Sequence, residues 1–245
     1  QTIYKQSGGA LDLTIYPLIK RWGFVDGKYY VPTDEEISSD LAKRCFDKLT
    51  LTSFPSSGTY MVQMPSGGEL SFASVAKGCA SDNAIEAMRQ AGVESGIISL
   101  GGNVQALGLK PDGSRWRVAV QDPENSEENF AVIEIEDEAV IASGGYQRYF
   151  EEDGATYHHI IDPRTGYPAD SGVISSTIIS HDGTLADGLS TSLFIMGVDD
   201  ALDYWRAHSD EFDAILMDEN GTVYVTDGIA DRCSLLEDRK MQVVH

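Results

Sequence analysis

The chain has 245 residues, 42% of them apolar, and a formal charge of −21 from 39 acidic against 18 basic side chains. That length and apolar content suit one large domain or two closely packed ones. The acidity argues against nucleic acid as a partner, because phosphate neutralisation needs a basic surface and none is visible, and no uninterrupted apolar run reaches the eighteen or so residues that span a membrane.

The first residues, Gln1 to Gln6, contain no apolar signal-peptide core, so any export signal or lipid anchor of the natural protein is expected upstream of them. Pro32–Leu49 reads as a helix, capped by Thr33 or Asp34 with Glu35 and Glu36 in its first turn. Tyr60–Met64 and Glu69–Phe72 read as strands of a hairpin around Pro65-Ser66-Gly67-Gly68. Val75–Gln90 is strongly helical, with Gly92 as its stop. Strand signals then crowd: Gly96–Leu100, Arg115–Gln121, Phe130–Ile135 and Ala139–Ser143, each bounded by Gly, Pro, Asp or Asn. Val173–Ser180 is a β-branched strand, followed by helices over Thr184–Met196 and Asp199–His208. Ala214–Met217 and Thr222–Val225 flank an Asn220-Gly221 turn. Runs of strands between separate helices predict an α+β fold with largely antiparallel sheet. Cys45, Cys79 and Cys233 lie far apart without Cys-x-x-Cys spacing and support neither a disulfide framework nor a zinc site.

Three constellations could carry chemistry. Asp187 and Thr191 stand four apart on one helical face beside Ser190, among buried-type residues Leu185, Leu189 and Phe194. A hard cation taking oxygen ligands would satisfy them. The plain alternative is a helix-dipole acid, with Thr191 bonding back to its own backbone. Ser74-Val75-Ala76-Lys77-Gly78 places small residues and a cation at a helix start, which suits either an anion or an ordinary cap. Of the same kind, and counted with this second constellation, Leu100-Gly101-Gly102-Asn103 is a turn or bulge that also allows close backbone approach to a ligand.

The third is His158-His159-Ile160-Ile161-Asp162-Pro163-Arg164-Thr165-Gly166. Read as a short strand, it puts His159 and Ile161 on one face, Ile160 and Asp162 on the other, and Arg164 and Thr165 in the turn. His159 is of the residue type that serves as a general base, although a lone strand histidine more often just satisfies a buried hydrogen bond. There is no Walker motif, no Gly-x-Ser-x-Gly and no His-Glu-x-x-His.

Taken together these blocks resemble the ApbE-type flavin transferases. Ser7-Gly8-Gly9-Ala10-Leu11-Asp12-Leu13-Thr14 with Pro17 and Trp22-Gly23-Phe24 is similar to that family's Gly-Ala-Phe-Asp-x-Thr block. Ala76-Lys77-Gly78 with Ala80 and Asp82, Leu100 to Val104, Trp116-Arg117-Val118 with Asp122-Pro123, and Ser143-Gly144-Gly145-Tyr146 follow in the family's order. The His159 run matches His-Ile-Ile-Asp-Pro-x-Thr-Gly, and Ala186-Asp187 with Thr191 matches Ala-Asp-x-x-x-Thr. The likeness runs from about Ser7 to Gly197.

The resemblance implies an ApbE-like single domain over residues 1–245. It also implies a magnesium-dependent FAD:protein FMN transferase that esterifies a Thr or Ser of an acceptor flavoprotein and releases AMP. It implies Asp187, Thr191 and the Ser74 carbonyl as Mg2+ ligands and His159 as the base. FAD contacts are expected at Lys77, Gly101, Gly102, Asn103, Ser143, Gly144, Tyr146, His159, Asp162 and Thr165. The acceptor is expected in a membrane redox complex and the site of action outside the cytoplasmic membrane of a bacterium.

Three departures bear on this reading. Ser71 stands where the family has an acid, Gly145 where it commonly has another, and the family's N-terminal strand with Met-Gly-Thr is absent from residues 1–245. A trimmed chain or an incomplete FAD pocket is the expectation. The readings that compete are FAD hydrolysis to FMN and AMP, and FAD binding without chemistry.

Overall fold

The computed structural model describes residues 1–236 and 239–245. The N-terminal part is helical: α1 (Thr2–Gln6), α2 (Tyr16–Arg21) and α3 (Asp34–Leu41). Thr33 caps α3 in a reciprocal box with Glu36. The helix predicted over Pro32–Leu49 stops at Leu41. Beyond it the Cys45 N–H is drawn to Thr14 Oγ1 at 3.0 Å, and Phe46 packs on Tyr4 with ring centroids 4.6 Å apart, so the chain leaves the helical path.

Next come β1 (Thr50–Phe54) and β2 (Thr59–Gln63), an antiparallel hairpin of their own. Tyr60–Met64 was expected to pair with Glu69–Phe72, yet its partner is the strand before it. The stretch from Glu69 is spent instead on reaching the N-terminal part, where Ser71 N–H bonds the Leu13 carbonyl at 2.9 Å.

Helix α4 (Ala76–Gln90) follows and ends as expected, with Gly92 at φ 80°. Strands β3 (Gly96–Leu100) and β4 (Asn103–Leu107) form a two-residue hairpin whose corners, Gly101 and Gly102, both take positive φ of 56° and 93°. Only glycine does this without strain, and the primed turn it makes matches strand twist. Strands β5 (Trp116–Gln121), β6 (Asn129–Ile135) and β7 (Ala139–Ser143) come next, then the hairpin β8 (Tyr149–Glu152) and β9 (Ala155–His158). After β10 (Val173–Ser180) come α5 (Gly183–Met196), α6 (Val198–Ala207), β11 (Asp213–Asp218), β12 (Val223–Thr226), β13 (Cys233–Leu235) and β14 (Met241–Val244).

Seven strands make the central sheet in the order β14-β12-β11-β10-β7-β4-β3, antiparallel except for β12 with β14. A second sheet, β13-β6-β5, covers one face. Strand alternation sends Ile179, Val140 and Ile215 toward that sheet, where they meet Val118, Phe130 and Ile133. Ile178, Ile141 and Leu216 point the other way, against Leu189 and Leu193 of α5 and Trp205 of α6. The layers are therefore sheet, sheet and helices, and the α+β, largely antiparallel expectation holds. Among the described residues no helix is long and apolar enough to cross a membrane.

The run from His158 differs in detail from the predicted strand. β9 ends at His158, and Ile161 makes a single bridge to Pro168. The alternation survives nonetheless. Ile160 joins the Ala10 and Phe194 cluster, Ile161 joins the Trp22 and Phe24 cluster, and the His159 ring lies edge-on to Phe24 at 6.3 Å.

Candidate active site

The site forms where α4 and α5 start beside each other. A Cβ on Gly78 would sit 2.0 Å from the Gly183 carbonyl oxygen and 2.8 Å from Asp187 Cβ, so only glycine permits this approach. The closeness lets each helix accept the other's carboxylate. Gly78 N–H donates to Asp187 Oδ2 at 2.9 Å. Gly183 and Thr184 N–H each donate to Asp82 at 2.8 Å, and the Thr184 hydroxyl adds a bond at 2.6 Å. Asp82 thus fixes the start of α5, and with it the placement of Asp187 and Thr191.

Asp187 is 5% exposed. Its other oxygen accepts the Asn103 amide at 3.1 Å. Burial pushes its pKa above the ordinary carboxylate value, and the Gly78 amide, Asn103 and nearby Lys77 offset this only in part. Asp82 is the reverse: burial raises it, but the Thr184, Gln105 and backbone donors outweigh that and hold it low.

Spending the Gly78 amide on Asp187 also releases the Ser74 carbonyl four residues back, to which no backbone donor bonds among the described residues. Thr191 lies one turn beyond Asp187. Ser143 Oγ reaches Thr191 Oγ1 at 3.4 Å and Ser190 Oγ at 2.8 Å, and Ser190 in turn donates to the Asp187 carbonyl at 2.8 Å. A carbonyl, an under-compensated carboxylate and a hydroxyl, all lining one cavity, make an oxygen donor set that fits a hard divalent cation.

That cavity has a volume of about 200 Å3. Besides Ser74, Lys77, Ser143, His159, Asp187 and Thr191, its walls include Asp12, Ser71, Ile160 and Gln147. It is smaller than the roughly 300–1,000 Å3 of pockets that enclose a drug-sized ligand, so it receives only part of a dinucleotide. Lys77 spans from the wall to the β3–β4 turn, its Nζ donating to the Gly101 carbonyl at 3.5 Å.

His159 is the titratable group opposite. Its backbone N–H and its ring Nδ1 both meet the Arg148 carbonyl, at 3.0 and 3.1 Å. A carbonyl only accepts, so Nδ1 carries the proton and Nε2 keeps its lone pair. Burial lowers the His159 pKa to about 4 despite that bond, with His158, Arg148 and Lys77 adding like-charge repulsion. The imidazole is therefore neutral around pH 7, with Nε2 unprotonated. His158 faces elsewhere: its Nε2 meets the Ala169 carbonyl at 3.0 Å, and it lines a separate cavity of about 540 Å3.

The other predicted residues scatter. Asn103 acts on Asp187, and Gly101 on Lys77. Gly102 and Tyr146 line a neighbouring space of about 180 Å3 between the sheets, which shares Ala142 and Gln147 with the main cavity. Gly144 is held under the Tyr146 ring. Asp162 and Thr165 do not line the main cavity. Asp162 accepts Arg164 N–H at 2.8 Å and the Arg164 guanidinium at 2.8–3.0 Å, while Arg164 also ties to the Ile195 carbonyl at 3.1 Å. Thr165 Oγ1 accepts the Tyr167 N–H at 3.2 Å. Both belong to the turn. Asp12, Asp82 and Arg148 were not singled out from the sequence as site residues. Asp12 and Asp82 sit in the quoted sequence blocks, whereas Arg148 acts through a backbone carbonyl that leaves no side-chain signal.

Comparison with known proteins identifies the family. A profile described as the ApbE family matches residues 1–216. An FAD:protein FMN transferase of Haemophilus influenzae is 33% identical over 223 residues, which cover 89% of this chain and 64% of that protein. The crystal structure of an ApbE protein from Thermotoga maritima superposes with a TM-score of 0.83 at 31% identity, covering 93% of this chain and 73% of that one. The flavin transferase ApbE of Vibrio cholerae gives a TM-score of 0.75 at 28% identity, over 98% and 71% of the two chains. The chain thus spans slightly under two thirds of the Haemophilus protein's length.

Proposed function

The chain belongs to the ApbE family, and from that premise we propose that it carries the catalytic site of an FAD:protein FMN transferase acting on a Thr or Ser hydroxyl. The observation that carries the reading is a neutral His159, its Nε2 unprotonated, lining the same cavity as Lys77 and the Asp187 donor set.

Magnesium would be held by Asp187, Thr191 and the Ser74 carbonyl, and when bound it would offset charge on the FAD pyrophosphate. The chain's own residues perform the rest. His159 Nε2 takes the proton of the acceptor hydroxyl as its oxygen bonds to the FMN-side phosphorus. The bond from that phosphorus to the bridging oxygen breaks, and AMP leaves with the electron pair. Lys77 places a positive charge toward the phosphates, which an acidic protein supplies only locally. Asn103 and Gly78 hold the Asp187 carboxylate in place, and the Ser143–Ser190 hydroxyls orient Thr191.

The acceptor proposed is a flavoprotein of a membrane redox complex, met outside the cytoplasmic membrane. Family membership alone supports that partner and place. The test is incubation with FAD and Mg2+ while AMP is followed with and without an acceptor polypeptide. Acceptor-dependent AMP release is expected; AMP release indifferent to the acceptor would make the chain a pyrophosphatase, and FAD binding without AMP would make it a binding protein.

A further inference from the structure

His159 follows the last residue of β9, at a point where a chain would be free to swing, yet its ring is fixed. The fixing group is the carbonyl of Arg148, which accepts both the His159 backbone N–H and Nδ1–H. That carbonyl sits just before β8, in the short connection that follows β7. Its position depends on what anchors Arg148. The guanidinium supplies the anchor: Nη2 donates to the Phe24 carbonyl, and Cζ stands 5.7 Å above the Phe24 ring. The same Phe24 ring packs edge-on against His159. Arg148, Phe24 and His159 therefore form a closed triangle in which the arginine contributes a carbonyl at one corner and a cation at another.

We propose that Arg148 is the positioning residue for His159, holding the imidazole as its Nδ1–H tautomer with Nε2 turned to the cavity. The inference rests on the transferase reading for its kinetic arm, but the tautomer can be read without turnover. The groups around His159 are consistent with it. Arg148 from the β7–β8 connection, His158 from β9 and Lys77 from α4 are cationic or can become so, while Asp12 and Asp187 are the acids lining the same cavity. A ring released from the carbonyl would be free to present either nitrogen and would meet more water.

The experiment compares R148A and R148K with the wild-type protein. In R148A the rate of FMN transfer is expected to fall about 10-fold, with the KM for FAD within twofold. The acid limb of the rate profile should move up by ~1 pH unit, toward the ordinary histidine value. The 15N shifts of His159 should change from a single Nδ1–H tautomer to a mixture. R148K, which restores a cation over Phe24, is expected to recover most of the rate and the wild-type limb. An unchanged tautomer and acid limb in R148A, or a loss confined to the KM for FAD, would overturn the proposal. Absence of transfer in the wild-type protein would instead remove the transferase reading, and the 15N spectra would still judge Arg148.

Discussion

Two carboxylates face each other across the α4–α5 contact, and they have opposite fates. Asp82 accepts three donors from the start of α5 and one from Gln105, so its charge is compensated and its pKa is held low. Asp187 accepts one amide from α4 and one from Asn103, is nearly as deep as the core, and has its pKa raised by burial. The first acid is a fastening. The second is left wanting positive charge, and that want is what a substrate-bound cation would satisfy. Similar chemistry at the two ends of one contact thus yields a compensated acid at one end and, on the proposed function, a cation ligand at the other.

The comparison can be broken most strongly at its functional end. H159A should spare FAD binding and slow transfer by roughly two to four orders of magnitude, measured under single turnover. D187N should lower transfer by roughly 10²–10³-fold, since several kcal/mol of charge stabilisation go with the cation. The same variant should melt at the wild-type temperature or above it at pH 7 without ligand. A raised folded-state pKa means the ionised Asp187 weakens the fold at neutral pH, and its contribution is favourable only in acid.

At the structural end D82N should cost about 2–3 kcal/mol in denaturant unfolding, because a charged acceptor of several bonds becomes a neutral one. Its folded-state pKa is lowered, so this loss is present above the unfolded value and shrinks as pH falls through the folded one. G78A pushes the two ends apart and should cost about 1–3 kcal/mol, read by thermal unfolding. Comparable in size, about 3 kcal/mol across the window, is the acid slope of the fold itself. His159 titrates near 4 when folded and near 6.5 when unfolded, so between those values the unfolded chain binds more protons and stability falls with falling pH. H159Q should flatten that part of the profile, measured by unfolding at pH 7, 6, 5 and 4.

How much of this is legible in the residues depends on where each bonding partner lies. Helices α4 and α5 are plain in the sequence from their helix-forming runs, and strand β10 from its β-branched residues. β1 is not, since Thr50–Phe54 is exposed on both faces and leaves no burial alternation to read. The β8–β9 hairpin carries a mark that is local and short, Asp153-Gly154, with both residues at positive φ. Asp187 with Thr191 shows itself through helical spacing, and His159 through its motif. Asp82 looks like any mid-helix acid, because its partners Gly183 and Thr184 lie about a hundred residues away. Asp162 belongs to the same motif as His159 and is expected to orient the turn or the flavin; the turn contact is visible, in its pairing with Arg164 two residues on.

The most direct test is the intact mass of a threonine-bearing acceptor polypeptide after incubation with the wild-type chain, FAD and Mg2+. The acceptor should gain one FMN in phosphoester linkage while an equal amount of AMP appears, and D187N should produce neither. An acceptor of unchanged mass beside free FMN and AMP, or transfer undiminished in D187N, would contradict the account.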